Sequence, residues 1–510
     1  MTRFDRASLA FVVGLAAALR LPGLDARGRF DADQGHDMLT LVAFARDGVV
    51  PLLGPKTSVG DFHHGAFYYY LLAPSAAISN ADPVAVAFEL ALLGIAAVAL
   101  TWWLAGAIGG PWAGLLAGVL MAVSPAAIEE STFIWNPNPI AFFAALALVA
   151  VWRARTGGRP SWWTLAIASA GAVFQLHVLG VVFLMAIVAI AVLDLRRDRS
   201  VVRGLLGGLA LVALLFVPLL VHELTHDFAE TRGVLAYIAG GDPGPEGGPV
   251  AALVITLLRV VGWPLVGLVI AYPTAAILLL AVVVGLVGAR WISARGEERM
   301  ALRMLVGIAT WSTVSLAFVA PSLQRVVLAL PNDHYHAFLD PVIVVLVAVS
   351  STVLIASALV SWRSTRRPAP LLAGALVGAA VVVLIAAAVL RQPPWVDPDG
   401  GWAAARTAGT RVVGVAGSRP IGVVGLPDFK LADGITFPVA YAGGQVVDPD
   451  TNPGILVVAC DRLFETAIGA PCGGPAEDRE VGESGGLRLL DRFDASPRTS
   501  ISVYGPADGP

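Results

Sequence analysis

Acidic and amide side chains cluster in the segment RFDADQGHDMLTL, which runs from Arg29 to Leu41 directly after the first apolar run. A carboxylate such as Asp33 can act as a general base that removes a proton from an attacking hydroxyl. Gln34 and Asp37 would stand beside it and bind the reactants. Asp33 is alternatively a helix N-cap, whose oxygens accept backbone N–H groups. Three aspartates within seven residues exceed what one cap requires, which favours a chemical role.

Three later segments carry further polar groups. They are GDFHHGAFYYYLLAP (Gly60 to Pro74), SPAAIEESTFIWNPNPIAFFAALAL (Ser124 to Leu148) and PNDHYHAFLDP (Pro331 to Pro341). The first of these segments contains three consecutive tyrosines, which are typical of a belt at the lipid–water boundary. The binding residues that we infer here are Lys56, His63, His64, Glu129, Glu130, Trp135, Asn136, Asn138, His334 and Tyr335.

The WNPNP turn and the two glutamates have two interpretations each. Trp135 can stack on a ring of a ligand while Asn136 and Asn138 bind its polar groups. Equally, the prolines simply end one helix and start the next, since proline suits the first helical turn. Glu129 and Glu130 are either part of a site or a solvated loop face. The sequence leaves both choices open.

The overall composition is that of a membrane protein. The chain has 510 residues, of which 57% are hydrophobic and only 14% charged, with a mean hydropathy of +0.76. Soluble domains carry about 25% charged residues. The net charge of −3 gives no indication of nucleic-acid binding.

Apolar stretches long enough for a span of roughly 20 residues recur along residues 1–390. We count eleven predicted spans, near 7–24, 84–108, 112–125, 138–152, 161–176, 178–194, 203–221, 265–289, 301–320, 338–361 and 370–390. The first is a retained span, because it lacks the small-residue cleavage site of a signal peptide.

Basic residues set the predicted orientation, since cytoplasmic loops carry an excess of Lys and Arg. Four arginine clusters fall on one side, at 153–159, 196–203, 290–303 and 363–367. This holds only if VAALVITLLRVVGWP (Val250 to Pro264) lies along the interface without crossing, which Arg259 and Pro264 favour. The external side then holds the loops at 25–83, 126–137, 222–250 and 322–337, the residues after Arg391, and a polar chamber that gathers most of the eight histidines. Within loop 25–83, DMLTLVAFARDG predicts an amphipathic helix that lies on the membrane and ends at Gly48.

The residues from 391 to 510 form a second predicted domain. TRVVGVAG, PIGVVGL, GILVVACD and ISVYGP are short β-rich runs separated by Gly, Pro and Asp, which predicts a small external α/β domain. Cys460 and Cys472 are the two cysteines of the chain. Outside the cell they would form a disulfide, with two free thiols in a small core as the alternative.

The three polar segments resemble, in order, motifs of the GT-C glycosyltransferases that use lipid-phosphate sugars. The sequence is most similar to the bacterial branch of the protein-mannosyltransferase-like family, which includes the lipid A aminoarabinose transferases. The likeness covers most of residues 1–390. The family commonly shows Asp-Glu in the first loop, where this chain has Asp33-Gln34, so the second position carries no charge.

The resemblance implies an inverting transfer of a sugar from a polyprenyl-phosphate donor to an envelope glycan, lipid or protein at the external face of a bacterial plasma membrane. Asp33 would be the general base. The leaving phosphate needs donors rather than a strong acid, with Lys56, His334, Tyr335 and Arg325 as candidates. We expect no essential metal, although Asp61, His63 and His64, or His334 and His336, offer ligand atoms for a divalent ion.

Two other classes of protein fit some of these features. A flippase or transporter of lipid-linked sugars places ionisable residues inside its spans, whereas here the charges gather outside. A sensor with a ligand-binding tail would not need eleven spans as an anchor. Release of polyprenyl phosphate in the presence of acceptor distinguishes a transferase from a flippase.

Overall fold

The computed structural model describes residues 2–240, 247–267, 271–324, 332–427, 432–451, 453–483 and 486–506. Its apolar body is helical. The first nine helices are α1 (Arg3–Arg20), α2 (Ala32–Asp47), α3 (Phe67–Ser79), α4 (Pro83–Gly109), α5 (Pro111–Val123), α6 (Pro125–Glu129), α7 (Ile140–Gly157), α8 (Pro160–Leu176) and α9 (Val181–Asp194). The next eight are α10 (Val201–Leu215), α11 (Val217–Thr225), α12 (Ala229–Gly240), α13 (Gly248–Val266), α14 (Pro273–Ser293), α15 (Gly296–Val319), α16 (Asp340–Thr365) and α17 (Pro368–Leu390).

The protein is a multi-pass membrane protein. Within the described ranges, seven helices are long and apolar enough to cross a bilayer, or eight if the bent pair α10–α11 is one span. The predicted count of eleven is not confirmed, because α5 has 13 residues and α8 has 17, and α1 does not reach the required hydropathy and charge composition. The core lies around α16, whose residues 342–351 are buried on every side, as expected for a helix that is apolar all round.

Helix α13 contains the segment predicted to lie along the interface. By length and composition it qualifies as a span. It packs on the neighbouring spans α14, α15 and α16, and it also contacts the second loop, where Trp263 donates to Glu130. The prediction was wrong about Arg259, which is buried rather than exposed at a surface, since Asp333 binds its guanidinium.

Two of the basic clusters meet at one end of the helical body. Arg155 near the end of α7 makes paired hydrogen bonds of 2.7 and 2.9 Å to Asp194 at the end of α9. Arg159, Arg197 and Met300 line one cavity there, which brings the start of α15 to the same end. The grouping agrees with the predicted common side of these clusters.

The first loop folds as predicted into a helix that stops at Gly48. Gly48 has φ +72°, a left-handed conformation that favours glycine at a helix end. The inner face of α2 is covered by protein, with Met38 and Leu41 fully buried in the core. The three tyrosines that follow begin α3. The belt prediction was wrong for Tyr68 and Tyr69, which are buried, because their hydroxyls have a partner inside the protein.

The C-terminal region forms a small α/β domain with a four-stranded sheet. It contains α18 (Gly401–Ala416), β1 (Ile421–Leu426), α19 (Asp433–Tyr441), β2 (Ile455–Asp461), α20 (Glu465–Ile468), α21 (Pro475–Glu483), β3 (Leu487–Asp494) and β4 (Thr499–Pro506). The strand order is β1-β2-β4-β3, with β1 and β2 parallel and the other pairs antiparallel.

Three of the four predicted β-rich runs are strands β1, β2 and β4. The fourth, TRVVGVAG, is wrong: it is the end of α18. Ala408, Val412 and Ala416 lie four residues apart and pack on the sheet, which is a helical spacing. Cys460 and Cys472 form the predicted disulfide.

Candidate active site

The amino end of α2 is organised by a capping box. Asp31, not Asp33, is the N-cap: its side chain accepts the backbone N–H of Asp33, and the Gln34 side chain accepts the N–H of Asp31 at 3.0 Å. Gln34 is therefore buried as part of the helix start. Asp33 is exposed in the first helical turn, where the helix dipole favours an anion. The alternative that Asp33 serves only as the cap is excluded.

Asp37 lies one turn further along and is held by two phenols. The Tyr68 and Tyr69 hydroxyls each donate to one of its carboxylate oxygens, both at 2.9 Å. Burial raises the pKa of Asp37 to about 7, although these two hydrogen bonds act in the opposite direction. Because both oxygens accept a tyrosine hydroxyl, Asp37 fastens α2 to α3.

The C-terminal domain packs directly against this first turn. His36 Nδ1 lies 2.9 Å from Asp433 Oδ2. A Cβ on Gly35 would come within 2.0 Å of the Asp433 carbonyl oxygen, and one on Gly434 within 2.8 Å of the Asp31 backbone. The two backbones are thus in contact at a place where only glycine fits. The position of Asp33 depends on α19 as well as on α2.

The second loop places its two glutamates in different surroundings. Burial raises the pKa of Glu129, with the Arg29 charge acting against this and Asp397 adding to it. Glu130 is buried and accepts the Trp263 indole N–H at 3.1 Å. Burial raises its pKa to about 8, although the tryptophan hydrogen bond lowers it. Glu129 thus lies next to the first loop, whereas Glu130 points toward α13.

Both asparagines of the WNPNP turn bind backbone. Asn136 Nδ2 donates to the Leu176 carbonyl at 2.7 Å, and Asn138 Nδ2 donates to the Phe133 carbonyl at 2.6 Å. Both side chains are buried. These bonds fix the turn that leads into α7 and support the interpretation as a helix boundary for the two amides.

Trp135 and a group of imidazoles form the aromatic wall of the site. The Trp135 ring lies 4.3 Å from His334, and His177 lies 5.5 Å from His334 and 4.8 Å from Tyr335, measured between ring centres. His64 joins the group, 4.8 Å from His177. Burial lowers the pKa of His64 well below its ordinary value, and the nearby His177 acts in the same direction.

This wall reaches the first loop through Phe133. Phe133 stacks on Trp135 at 5.7 Å, and the Arg29 guanidinium lies 5.8 Å from the Phe133 ring. Arg29 is four residues before Asp33. The structure therefore brings together the first loop, the second loop, the turn at His177 and the segment before α16.

Lys56 and His63 lie elsewhere on the first loop. Lys56 is exposed and pairs with Asp61 at 2.8 Å. His63 donates its backbone N–H to Glu230 at 2.6 Å and its ring contacts the same carboxylate at 3.0 Å. His222 approaches Glu230 at 3.9 Å. Arg325 and Pro331 lie outside the described residues.

The alternative metal ligands have other partners. His336 Nε2 lies 3.2 Å from Asp333, His63 binds Glu230, and Asp61 binds Lys56. Across the described ranges, no three His, Cys, Asp or Glu side chains are grouped as ligands of one metal ion.

The sequence did not single out Arg29 or the pair of Arg259 with Asp333, whereas it had placed His177 with the histidines of the polar chamber. Arg259 and Asp333 are both buried and joined by hydrogen bonds of 2.5 and 2.8 Å. A signal existed for this pair, because an arginine inside an apolar helix requires a buried partner. Arg29 had no local pattern to mark it.

Comparisons with known proteins agree with this architecture. Residues 63–222 match the family described as Dolichyl-phosphate-mannose-protein mannosyltransferase. A search of curated proteins found no match. Among solved structures, the chain is similar to ArnT from Cupriavidus metallidurans in the apo state, at 13% identity, with 98% of each chain covered and a TM-score of 0.58. It is similar to the same protein bound to undecaprenyl phosphate, at 13% identity, with 97% of each chain covered and a TM-score of 0.57.

The fold match extends over the helical body and the C-terminal domain together, since almost nothing of either chain is left uncovered. The chain therefore has the GT-C fold. The family match covers residues 63–222, within the helical body of this fold.

Proposed function

We propose that this protein transfers a sugar from a polyprenyl-phosphate donor to an envelope acceptor, at the external face of a bacterial plasma membrane and with inversion at the anomeric carbon. The observation that carries the proposal is the end-to-end fold match to a protein whose structure holds undecaprenyl phosphate. The acceptor class at this stage is a glycan, a lipid or a protein.

Asp33 is the general base in this proposal. Of the three aspartates in the segment Arg29 to Leu41, Asp31 caps the helix, Asp37 accepts from two buried tyrosines, and Asp33 is exposed in the first turn. An acceptor hydroxyl that attacks the anomeric carbon passes its proton to this carboxylate. A single displacement from the face opposite the phosphate inverts the configuration.

The leaving phosphate requires donors that stabilise its developing charge. His334 and Tyr335 lie together at the aromatic wall, with Arg29 at its edge. Trp135 offers a face on which a sugar ring stacks. Lys56 is exposed and paired with Asp61, so it would reach the phosphate only at the rim of the site.

The external placement is supported by two features. Helix α7 begins after the WNPNP turn and ends at the cavity lined by Arg155, Arg159 and Arg197, so these arginines lie at the opposite end of α7, as expected for a cytoplasmic side. The Cys460–Cys472 disulfide belongs to a domain that contacts the first loop, and disulfides persist in oxidising compartments.

The direct test measures lipid-linked sugars and envelope glycans by mass spectrometry in a strain that lacks the protein. We expect the donor to accumulate and one glycosyl modification to disappear. Wild-type protein should restore both, whereas Asp33→Asn should not. Asp47→Asn, at the exposed other end of α2, is the matched control and should restore both.

Two results would contradict the proposal. Restoration by Asp33→Asn would remove the base assignment. Translocation of the lipid-linked sugar without release of polyprenyl phosphate, even with acceptor present, would make the protein a flippase.

A chelator such as EDTA should leave transfer unchanged, in keeping with a mechanism that uses no essential metal.

A further inference from the structure

A cavity of ≈ 90 Å³ separates the first loop from the C-terminal domain. It lies at the ends of the parallel strands β1 and β2, with Leu426 and Asp461 on its wall. Ligands of α/β sheets bind outside the carboxyl ends of parallel strands. Since one water needs roughly 10–15 Å³ of such space, the cavity holds about as much as a single sugar ring.

Charged side chains of both signs line this cavity. The first loop contributes Arg29 and Asp31, and the C-terminal domain contributes Asp399, Asp461 and Arg498. Arg498 joins the two aspartates of its own domain, at 3.2 Å from Asp461 and 3.6 Å from Asp399. Its Nε atom is buried and has no hydrogen-bond partner among the described residues.

The remaining wall is apolar or carries hydroxyls. Ala404, Ala405 and Ile435 form an apolar side, while Ser496 and Thr499 lie on the strand side. The Ser496 hydroxyl donates to Asp399 at 3.0 Å. An apolar face beside a rim of donors and acceptors suits a ring that has both C–H and O–H surfaces.

We propose that this cavity binds a saccharide unit of the acceptor, so that the acceptor is a glycan. An anionic ligand would meet three aspartates, and a cationic ligand would meet two arginines. Neutral hydroxyl groups can pair with both kinds of side chain, because a hydroxyl donates to a carboxylate and accepts from a guanidinium. The inference rests on the proposed function and names the substrate class of that same site.

The cavity is adjacent to the proposed base. Asp31 lines it, and Asp33 is two residues further along in the same helical turn. A glycan seated between α2 and the sheet can therefore extend a hydroxyl to Asp33 while the donor occupies the aromatic wall on the other side of Arg29.

Saturation-transfer NMR on the full-length protein in lipid nanodiscs tests the proposal. The probes are methyl α-D-mannopyranoside as a neutral saccharide, D-glucuronate as an anion and D-glucosamine as a cation. Ala404→Phe fills the cavity without changing its charge, and Arg498→Gln removes charged donors. We expect the neutral glycoside to bind, and its apparent Kd to rise about tenfold or more in both variants.

Arg462→Gln is the matched control, because Arg462 is paired with Asp494 outside the cavity, and it should bind like wild type. Undecaprenyl phosphate binding, followed by tryptophan fluorescence, should be unchanged in all three variants and reports correct folding. Equal glycoside binding in wild type and Ala404→Phe, no glycoside binding to wild type, or preferential binding of D-glucuronate would each overturn the proposal. Failure of the proposed function is distinct: it would show as absent undecaprenyl phosphate binding or as complementation by Asp33→Asn.

Discussion

His36 of the first loop and Asp433 of the C-terminal domain are joined by a 2.9 Å contact across 397 positions of sequence. His36 is one helical turn from Asp33, so the domain positions the helix that carries the proposed base. Through this contact the C-terminal domain affects the position of Asp33 without touching the sugar donor.

The first prediction is a pH dependence of this contact. The hydrogen bond to Asp433 raises the pKa of His36, and Asp33 and Asp37 on its own helix add to this. The stabilisation is fully present below the ordinary histidine pKa of about 6.5 and is lost as the pH rises through the raised pKa. Hydrogen exchange in residues 31–37, corrected for intrinsic rates, should therefore speed up toward alkaline pH.

His36→Gln is the control for this effect, since glutamine donates a hydrogen bond but does not titrate. The variant should lose the part of the change that comes from His36 and keep only the part that comes from Asp37, whose pKa is raised to about 7. If residues 31–37 of the wild type exchange equally slowly below and above the raised pKa of His36, the contact is not pH-sensitive.

The second prediction concerns the backbone contact at Gly35. In Gly35→Ala the new Cβ would meet the Asp433 carbonyl oxygen at 2.0 Å, so α2 and α19 must separate. Overpacking of this kind costs about 1–3 kcal/mol. We expect a lower apparent Tm. The rate of sugar transfer should fall by at least the factor that corresponds to the lost free energy of unfolding.

Gly14→Ala is the matched control, because a Cβ at Gly14, inside α1, meets nothing within 4 Å. It should be neutral or slightly stabilising, as Ala is in a helix. Equal activity of the two alanine variants would show that the α2–α19 contact does not position the base.

The third prediction concerns the buried pair of Arg259 and Asp333. Asp333→Asn leaves a buried guanidinium without its counter-charge, which costs about 3–5 kcal/mol. The exposed pair of Arg411 and Asp491 provides the comparison, and Asp491→Asn should cost less than about 1 kcal/mol. Differential scanning fluorimetry in detergent should show a large Tm decrease for the first variant and a small one for the second.

The fourth prediction tests the side of the membrane on which the C-terminal domain lies. Intact cells are treated with N-ethylmaleimide, then denatured, reduced and labelled with maleimide-polyethylene glycol. Because Cys460 and Cys472 form a disulfide, neither should react with N-ethylmaleimide. After reduction each cysteine should accept one maleimide-polyethylene glycol, which gives two labels per chain. Blocked thiols that accept no label would indicate a reducing compartment and contradict the external placement.

Local sequence features predicted much of the architecture. Apolar runs marked the principal helices, Gly48 marked the end of α2, and the two cysteines marked the disulfide. These features depend on near neighbours or on composition, which is why they can be read directly. The sequence considered Asp33 as the only candidate cap and did not consider Asp31, although an aspartate at either position suits a helix N-cap.

Other errors came from partners that are distant in sequence. Tyr68 and Tyr69 were assigned to the membrane surface because nothing near them showed that Asp37 would accept their hydroxyls. Arg259 was assigned to the interface because its partner lies 74 positions away. TRVVGVAG has strand-forming residues, but packing on the sheet selects its helical spacing.

The sequence by itself determined that the chain is a membrane protein with polar loops carrying an acidic first-loop helix, since hydropathy and helix-stop signals are local properties. Only the tertiary structure decided which aspartate is left exposed, which tyrosines and arginines are buried, and that the C-terminal sheet closes over the first loop. Those outcomes depend on which side chains meet after folding, and a buried polar group is stable only where its partner arrives from elsewhere in the chain.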